Sequence, residues 1–231
     1  MIETRTRLSG ALLLAASLVA AGCGGSEAAA SAAEAADGSV PSAGGEAVDQ
    51  PRSDTLEIAT FAGGCFWCVE EAFEKLDGVT EVVSGYTGGE VDDPSYEQVS
   101  SGRTGHYEAA RVRYDPSLVS YDRLLEVFWR NVDPTDAGGQ FCDRGPQYRT
   151  AIFVHDEAQR AAAERSKRRL QEGGRLEEEI VTPILEASEF WPAEEHHQDY
   201  YREHRVQYQF YKASCGRQRT LKDLWGEEAG G

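Results

Sequence analysis

Residues 24–54 contain no aromatic side chain and almost no large apolar one, so whatever core this 231-residue chain builds must come from residue 55 onward. The stretch is largely Ala, Gly, Ser and Glu, a composition that buries too little surface to offset the entropy of ordering it. Residues 23–54 therefore read as a linker, and residues 55–231 as one folded domain. Ahead of the linker, residues 1–22 join a short segment carrying Arg5 and Arg7 to an apolar run that starts at Ala11 and stops before Cys23. That pattern is a secretory signal, and it is too short to stay in a bilayer as a spanning helix.

The ending Leu18-Val-Ala-Ala-Gly-Cys23 is similar to a bacterial lipoprotein signal, which implies a lipid on Cys23 and an exported protein facing the periplasm or the cell exterior. Ordinary secretion, with Cys23 lost or left free, is the plainer alternative. A lipid followed by a flexible tether would let a soluble domain stand clear of the membrane, touching it through the N-terminal lipid only. The net charge of −17 repels phosphate backbones and anionic headgroups, so nucleic acid is not an expected partner.

From residue 55 the pattern alternates. Residues 56–61 read as a strand ending at Gly63-Gly64, and from Cys65 the apolar Phe66, Val69, Phe73 and Leu76 recur at helical spacing, with Glu70, Glu71 and Glu74 on the other face. Strands are expected over 79–86, 106–114, 148–154 and 180–185, the last demoted to an edge by Pro183. Amphipathic helices are expected over 121–131 and 156–172, with a Gly- and Asp-rich loop over 133–147. The fold class is α/β (α+β): a two-layer mixed β-sheet with packed helices and long irregular loops around a ferredoxin-like core.

Setting Cys23 aside, the exported domain holds Cys65, Cys68, Cys142 and Cys215. An oxidising compartment makes structural disulfides a serious reading, and four cysteines allow three pairings. A Cys65–Cys68 bond, however, would close a trivial loop and add little stability. A cysteine at the first turn of a helix feels that terminus's partial positive charge, which favours thiolate, so Cys65 is the better nucleophile. Two aromatic residues directly after it suggest that at least one lines a small apolar pocket, although both could simply be core.

Five stretches then carry a specific resemblance: Gly63-Gly-Cys-Phe-Trp-Cys68, Val83-Ser-Gly-Tyr-Thr-Gly-Gly89, Tyr96 through Glu108, Asp133 through Arg149, and Ala193-Glu-Glu-His-His-Gln-Asp-Tyr200. In order and spacing they resemble the A-type peptide-methionine sulfoxide reductases, over about residues 55–226. The resemblance implies that Cys65 attacks the sulfoxide sulfur and becomes a sulfenic acid while Glu108 supplies a proton to the oxygen. It implies that Tyr96 and Tyr148 hydrogen-bond that oxygen, that Asp143 contacts the substrate backbone, and that Phe66 and Trp67 hold the ε-methyl group. The expected substrate is the S epimer of methionine sulfoxide, free or in proteins. The expected reductant is an external dithiol such as thioredoxin, with no cofactor or metal, and the protein is expected to be a monomer.

The resolving thiol stays open among Cys215, Cys68 and Cys142, because many family members carry Gly where Cys68 stands. His197 resembles a recurrent family histidine and is assigned a structural role. Two other classes compete. A thioredoxin-like disulfide oxidoreductase would also use Cys-x-x-Cys, but Phe-Trp between the cysteines would crowd a protein disulfide. A zinc or purely structural lipoprotein would need a second ligand pair, whereas Cys142 and Cys215 stand singly. Met1 is the only methionine and leaves with the signal, which suits a chain that works where oxidants arrive.

Overall fold

Phe61 is wholly buried, its ring stacked on Phe73 at 4.8 Å and on Phe128 at 5.2 Å between centroids, and these three rings join the sheet to its helices. The computed structural model describes residues 55–230, so the expected signal, lipid-attachment and linker segments lie outside the described residues. Strands β1 (Glu57–Gly63), β2 (Val79–Thr87), β3 (Tyr107–Tyr114), β4 (Gly139–Gln140), β5 (Asp143–Arg144), β6 (Thr150–Val154), β7 (Ile184–Glu186) and β8 (Phe190–Pro192) make two sheets. The larger has the order β7-β6-β1-β3-β2-β8, and the smaller is the β4–β5 hairpin. Its inner four strands, β6-β1-β3-β2, are antiparallel neighbours throughout; β7 alone pairs parallel, to β6.

The helices are α1 (Phe66–Phe73), α2 (Tyr96–Ser100), α3 (Tyr121–Arg130), α4 (Glu157–Glu172), α5 (Tyr200–Glu203), α6 (Arg205–Ser214) and α7 (Arg217–Trp225). Helix α3 shows why the periodicity was legible. Leu124, Leu125, Val127, Phe128 and Trp129 point into the core, and the Ser120 hydroxyl accepts from the Arg123 amide to cap its start. Complete burial of an aromatic side chain such as Phe61 contributes roughly 2–3 kcal/mol by the apolar surface it removes from water.

Four differences from the sequence expectations have physical causes. Glu70 and Glu71 are buried, at 1% and 8% exposure, because α5 and α6 fold back over the face of α1 that reads as solvent-facing. The strand expected over 180–185 begins only at Ile184: Pro183 has no N–H, and its carbonyl instead accepts from the Ile152 amide. The loop over 133–147 contains the short β4–β5 hairpin. Strand β8, only three residues long and ending in Pro192, has too little pattern to be read.

Antiparallel pairing decides where chemistry can gather. Strands β1 and β2 both run opposite to β3, and β6 runs opposite to β1. The C-terminal ends of β1 and β2 and the N-terminal ends of β3 and β6 therefore share one edge of the sheet. Cys65 follows β1, Glu108 starts β3, Tyr148 precedes β6, and Tyr96 opens α2 after β2.

Candidate active site

At the end of β1 the chain must turn sharply into α1. Gly64 makes that turn at φ +84°, and a side chain there would press to 2.6 Å from Gln140 Cβ. Cys65 then occupies the N-cap position of α1, with its carbonyl accepting from the Cys68 amide at 3.0 Å. Among the described residues Cys65 and Cys68 are the free cysteines, and both are buried.

The helix terminus does not serve Cys65 in the way the sequence suggests. Its first free amide, on Phe66, donates to Glu108 Oε2 at 3.1 Å. Burial pushes the Cys65 thiol well up, reinforced by the neighbouring Cys68 sulfur and by Glu108 and Asp143. Cys68 moves the other way: the hydrogen bond from Cys65 pulls it down to about 6 against its own burial, helped by Arg217, by the Tyr208 hydroxyl and by Lys212. Tyr208 donates to Cys68 Sγ at 3.5 Å. The resting charge of the pair thus sits on Cys68, with Cys65 holding the proton between them.

Glu108 lies opposite Tyr86 in the β2–β3 register and is 2% exposed. Burial raises its carboxyl to about 8 in spite of the Phe66 amide, so it carries a proton at neutral pH. Tyr96 and Tyr148 hydrogen-bond one another; both are pushed up by burial and then by Glu108, so both keep their protons and can donate. Asp143, at the end of the two-residue β4–β5 turn, is half-buried and raised by burial, while Tyr211 donates to it and Arg217 lies near. Cys65, Glu108, Asp143, Tyr96 and Tyr148 all fall within electrostatic reach of one another.

Phe66 and Trp67 are placed differently. Phe66 is 1% exposed and packs against Tyr86, Tyr96 and His197, with centroids 5.9, 6.4 and 5.3 Å away. Trp67 is only partly buried and stacks face to face on Tyr200 at 3.9 Å. His197 is buried, but neither ring nitrogen has a partner among the described residues, and burial lowers its pKa, so it packs here as a neutral ring.

Cys142 and Cys215 are bonded to each other, across 73 residues of sequence. The bond ties the turn beside Asp143 to the end of α6, and by loop-closure entropy a link of that span is worth about 4 kcal/mol. Phe141, in the same turn at φ +56°, lies under the Arg217 guanidinium at 4.7 Å.

A sequence profile of the family described as peptide methionine sulfoxide reductase matches residues 57–229. The chain belongs to that family. The peptide methionine sulfoxide reductase MsrA of Bacillus licheniformis is 51% identical over 76% of this chain and 97% of its own, and that of Bacillus subtilis is 49% identical over 75% and 98%. Among solved structures, methionine sulfoxide reductase A of Corynebacterium diphtheriae superposes with a TM-score of 0.59 at 31% identity, covering 68% of this chain and 78% of that one. The chain is thus an oxidoreductase of the methionine sulfoxide reductase A kind, and its mixed sheet with packed helices is the fold of that family.

Sequence reasoning missed a set of residues that the C-terminal helices bring in: Tyr200 on Trp67, Tyr208 on Cys68, Tyr211 on Asp143, and the cations Lys212 and Arg217. The signal was present in the dense Tyr spacing of 200–211, which reads as packing until α1 is known to be covered. Glu194 was also missed; it accepts from the Tyr86 hydroxyl at 3.0 Å and from the Tyr96 amide at 2.8 Å, and so fixes the start of α2.

Chemistry that needs Cys68 ionised and Glu108 protonated gives a bell-shaped pH profile, with its acid limb near the Cys68 value of about 6 and its alkaline limb near the Glu108 value of about 8. Activity falls as pH rises through the upper limb because the proton donor is lost. Glu108→Gln is expected to lower kcat by about 10²-fold and to remove the alkaline limb while leaving the acid one, measured as the pH dependence of kcat.

Proposed function

We propose that this chain reduces the S epimer of methionine sulfoxide, free or within exported proteins, with Cys65 as nucleophile, Glu108 as acid and Cys68 as the resolving thiol. The observation that carries this reading is a buried, unbonded Cys65–Cys68 pair one amide away from a buried, protonated carboxyl.

Tyr96 and Tyr148 donate to the sulfoxide oxygen, and Glu108 passes it a proton. Cys65 attacks the sulfur and gives its own proton to the Cys68 thiolate, to which it is already hydrogen-bonded. Collapse breaks the S–O bond of the substrate, releases methionine and leaves a sulfenic acid on Cys65. The Cys68 sulfur then attacks the sulfenic sulfur. A Cys65–Cys68 bond forms, the hydroxyl departs with the Cys68 proton as water, and Glu108 recovers its proton from solvent. The pair has lost two electrons and the substrate has gained them. An external dithiol of the thioredoxin kind restores both thiols, as the family resemblance implies.

Phe66 and Tyr96 supply an apolar and phenolic wall beside Cys65, and the partly exposed Trp67, backed by Tyr200, closes a flat face suited to a methyl group next to a polarisable sulfur. With the Cys142–Cys215 bond in place, neither of those sulfurs is a thiol ready to resolve the sulfenic acid. In this reading that bond is a staple that holds α6 over the site.

The test uses separate S and R sulfoxides of a blocked methionine with excess dithiothreitol. Release from the S epimer alone is expected. Cys65→Ser should lose at least about 10³-fold in rate, and Cys68→Ser should release a single methionine per chain when no reductant is present. Equal turnover of both epimers, or an active Cys65→Ser chain, contradicts the assignment. The exported, Cys23-lipidated form is part of the same proposal and rests on residues 1–23. In a bacterial host the full chain should partition with membranes and Cys23→Ser with the soluble exported fraction; a wild-type chain found soluble would remove the anchor.

A further inference from the structure

Cys68 has a second approach that Cys65 does not share. A cavity of about 370 Å³, within the range of small-ligand sites, opens between α1, the end of α3 and α7, and Cys68 lines it. Cys65, Phe66, Trp67 and Glu108 take no part in its wall. Along α1 the lining continues at helical spacing through Glu71 and Lys75, while Lys212 enters from α6, and Arg217 and Lys222 from α7.

The charge of that wall is unlike the rest of the molecule. Four cations meet two carboxylates, Glu71 and Glu227, in a chain of net charge −17. Glu71 is already committed: burial disfavours its charge, but hydrogen bonds from Lys212, Lys75 and Tyr208 together bring it down to about 2. Arg217 is 3% exposed; its Nη2 donates to the Asn131 carbonyl, and its Nη1 is buried with no partner among the described residues. A buried guanidinium N–H without an acceptor, at the wall of a cavity, is a strong point of attraction for an acid group.

We propose that this cavity is the entry port for reductant, that it selects a small thiol bearing a carboxylate or sulfonate, and that Arg217 pairs with the acid group while the thiolate attacks Cys68. The inference rests on the Cys65–Cys68 bond of the preceding section. Attack on a disulfide runs along the S–S axis, so a route reaching only the Cys68 side directs the thiolate to that sulfur. The donor's sulfur bonds to Cys68, the Cys65–Cys68 bond breaks, and Cys65 leaves as thiolate and takes a proton. A second molecule of the same thiol attacks the donor sulfur of the mixed disulfide and frees Cys68. Two thiols have become one disulfide, and the enzyme pair has gained their two electrons. A cavity of this size admits such a molecule and not the redox face of a folded protein, so the port serves a donor other than one of the thioredoxin kind. The sulfoxide would meanwhile have its own face, at Cys65.

The test compares three thiols of similar size: anionic 2-mercaptoethanesulfonate, neutral 2-mercaptoethanol and cationic cysteamine. The Cys65–Cys68 disulfide is prepared by one turnover of the S sulfoxide and, separately, by a mild chemical oxidant. Failure of the reductase reading then appears as missing methionine, while the port is still read from the chemically oxidised chain. Reduction is followed by quenching, alkylation and mass mapping of Cys68, and rates are referred to thiolate concentration. The sulfonate is expected to outrun cysteamine by about tenfold at low salt, with the gap closing at high salt. Lys222→Glu, at an exposed position, and Arg217→Gln should each bring the ratio towards one. Each ratio is internal to one protein, so partial loss of folding does not affect it. Cysteamine matching or beating the sulfonate on the wild-type chain, as the net charge alone would give, overturns the port, and so does an anion preference that survives both substitutions.

Discussion

A buried thiolate has to be held by something, and around Cys68 the holding is shared among three elements of the fold. Cys65, at the head of the same helix, donates its S–H; Tyr208 adds a hydroxyl from α6; Arg217 and Lys212 add positive charge from the start of α7 and the end of α6. Burial by itself would drive both thiols to the neutral form. The chemistry of the site therefore depends on the C-terminal helices lying against α1, although no residue of those helices needs to touch the substrate for this.

The same contacts explain why that layer stays in place. Glu71 receives Lys212, Lys75 and Tyr208, Glu74 receives Tyr201, and Asp143 receives Tyr211, so α1 and the β4–β5 turn are tied to α5 and α6 by charge-assisted bonds in partly buried surroundings. The Cys142–Cys215 bond adds a covalent tie at the same seam, and Trp225 anchors the far end, wholly buried with its indole donating to the Val132 carbonyl at 3.0 Å. One strip of polar contacts thus sets the electrostatics of Cys68 and fastens the layer that creates them.

Much of this architecture was legible in the sequence where a local pattern coincided with a tertiary one. The strand, Gly-Gly turn and helix around Cys65 could be read because β1 is short and apolar and because Gly64 has to adopt a conformation that glycine favours. The amphipathic stripe of α3 was legible for the same kind of reason. The charge on Cys68 was not, because it depends on Arg217, nearly 150 positions away, and on whether the first amide of α1 serves a thiol or Glu108. Glu70 and Glu71 misled because a solvated face and a face covered by tyrosines and lysines look alike in one helix's pattern. The family resemblance gathered Cys65, Glu108, Tyr96, Tyr148 and Asp143, and the strand directions show why they gather: all five stand at the one edge where β1 ends and β3 and β6 begin.

The account's central claim is that the two sulfurs of α1 form the working pair, and one single-turnover experiment tests it most directly. The resting chain would receive one equivalent of the S sulfoxide without reductant, then be quenched in acid, digested unreduced and mapped by mass spectrometry. The predicted result is a new Cys65–Cys68 link appearing in step with released methionine while the Cys142–Cys215 link persists. A link from Cys65 to Cys142 or Cys215, with the resting bond opened and Cys68 still a free thiol, would contradict the account and move resolution to the α6 end of the site.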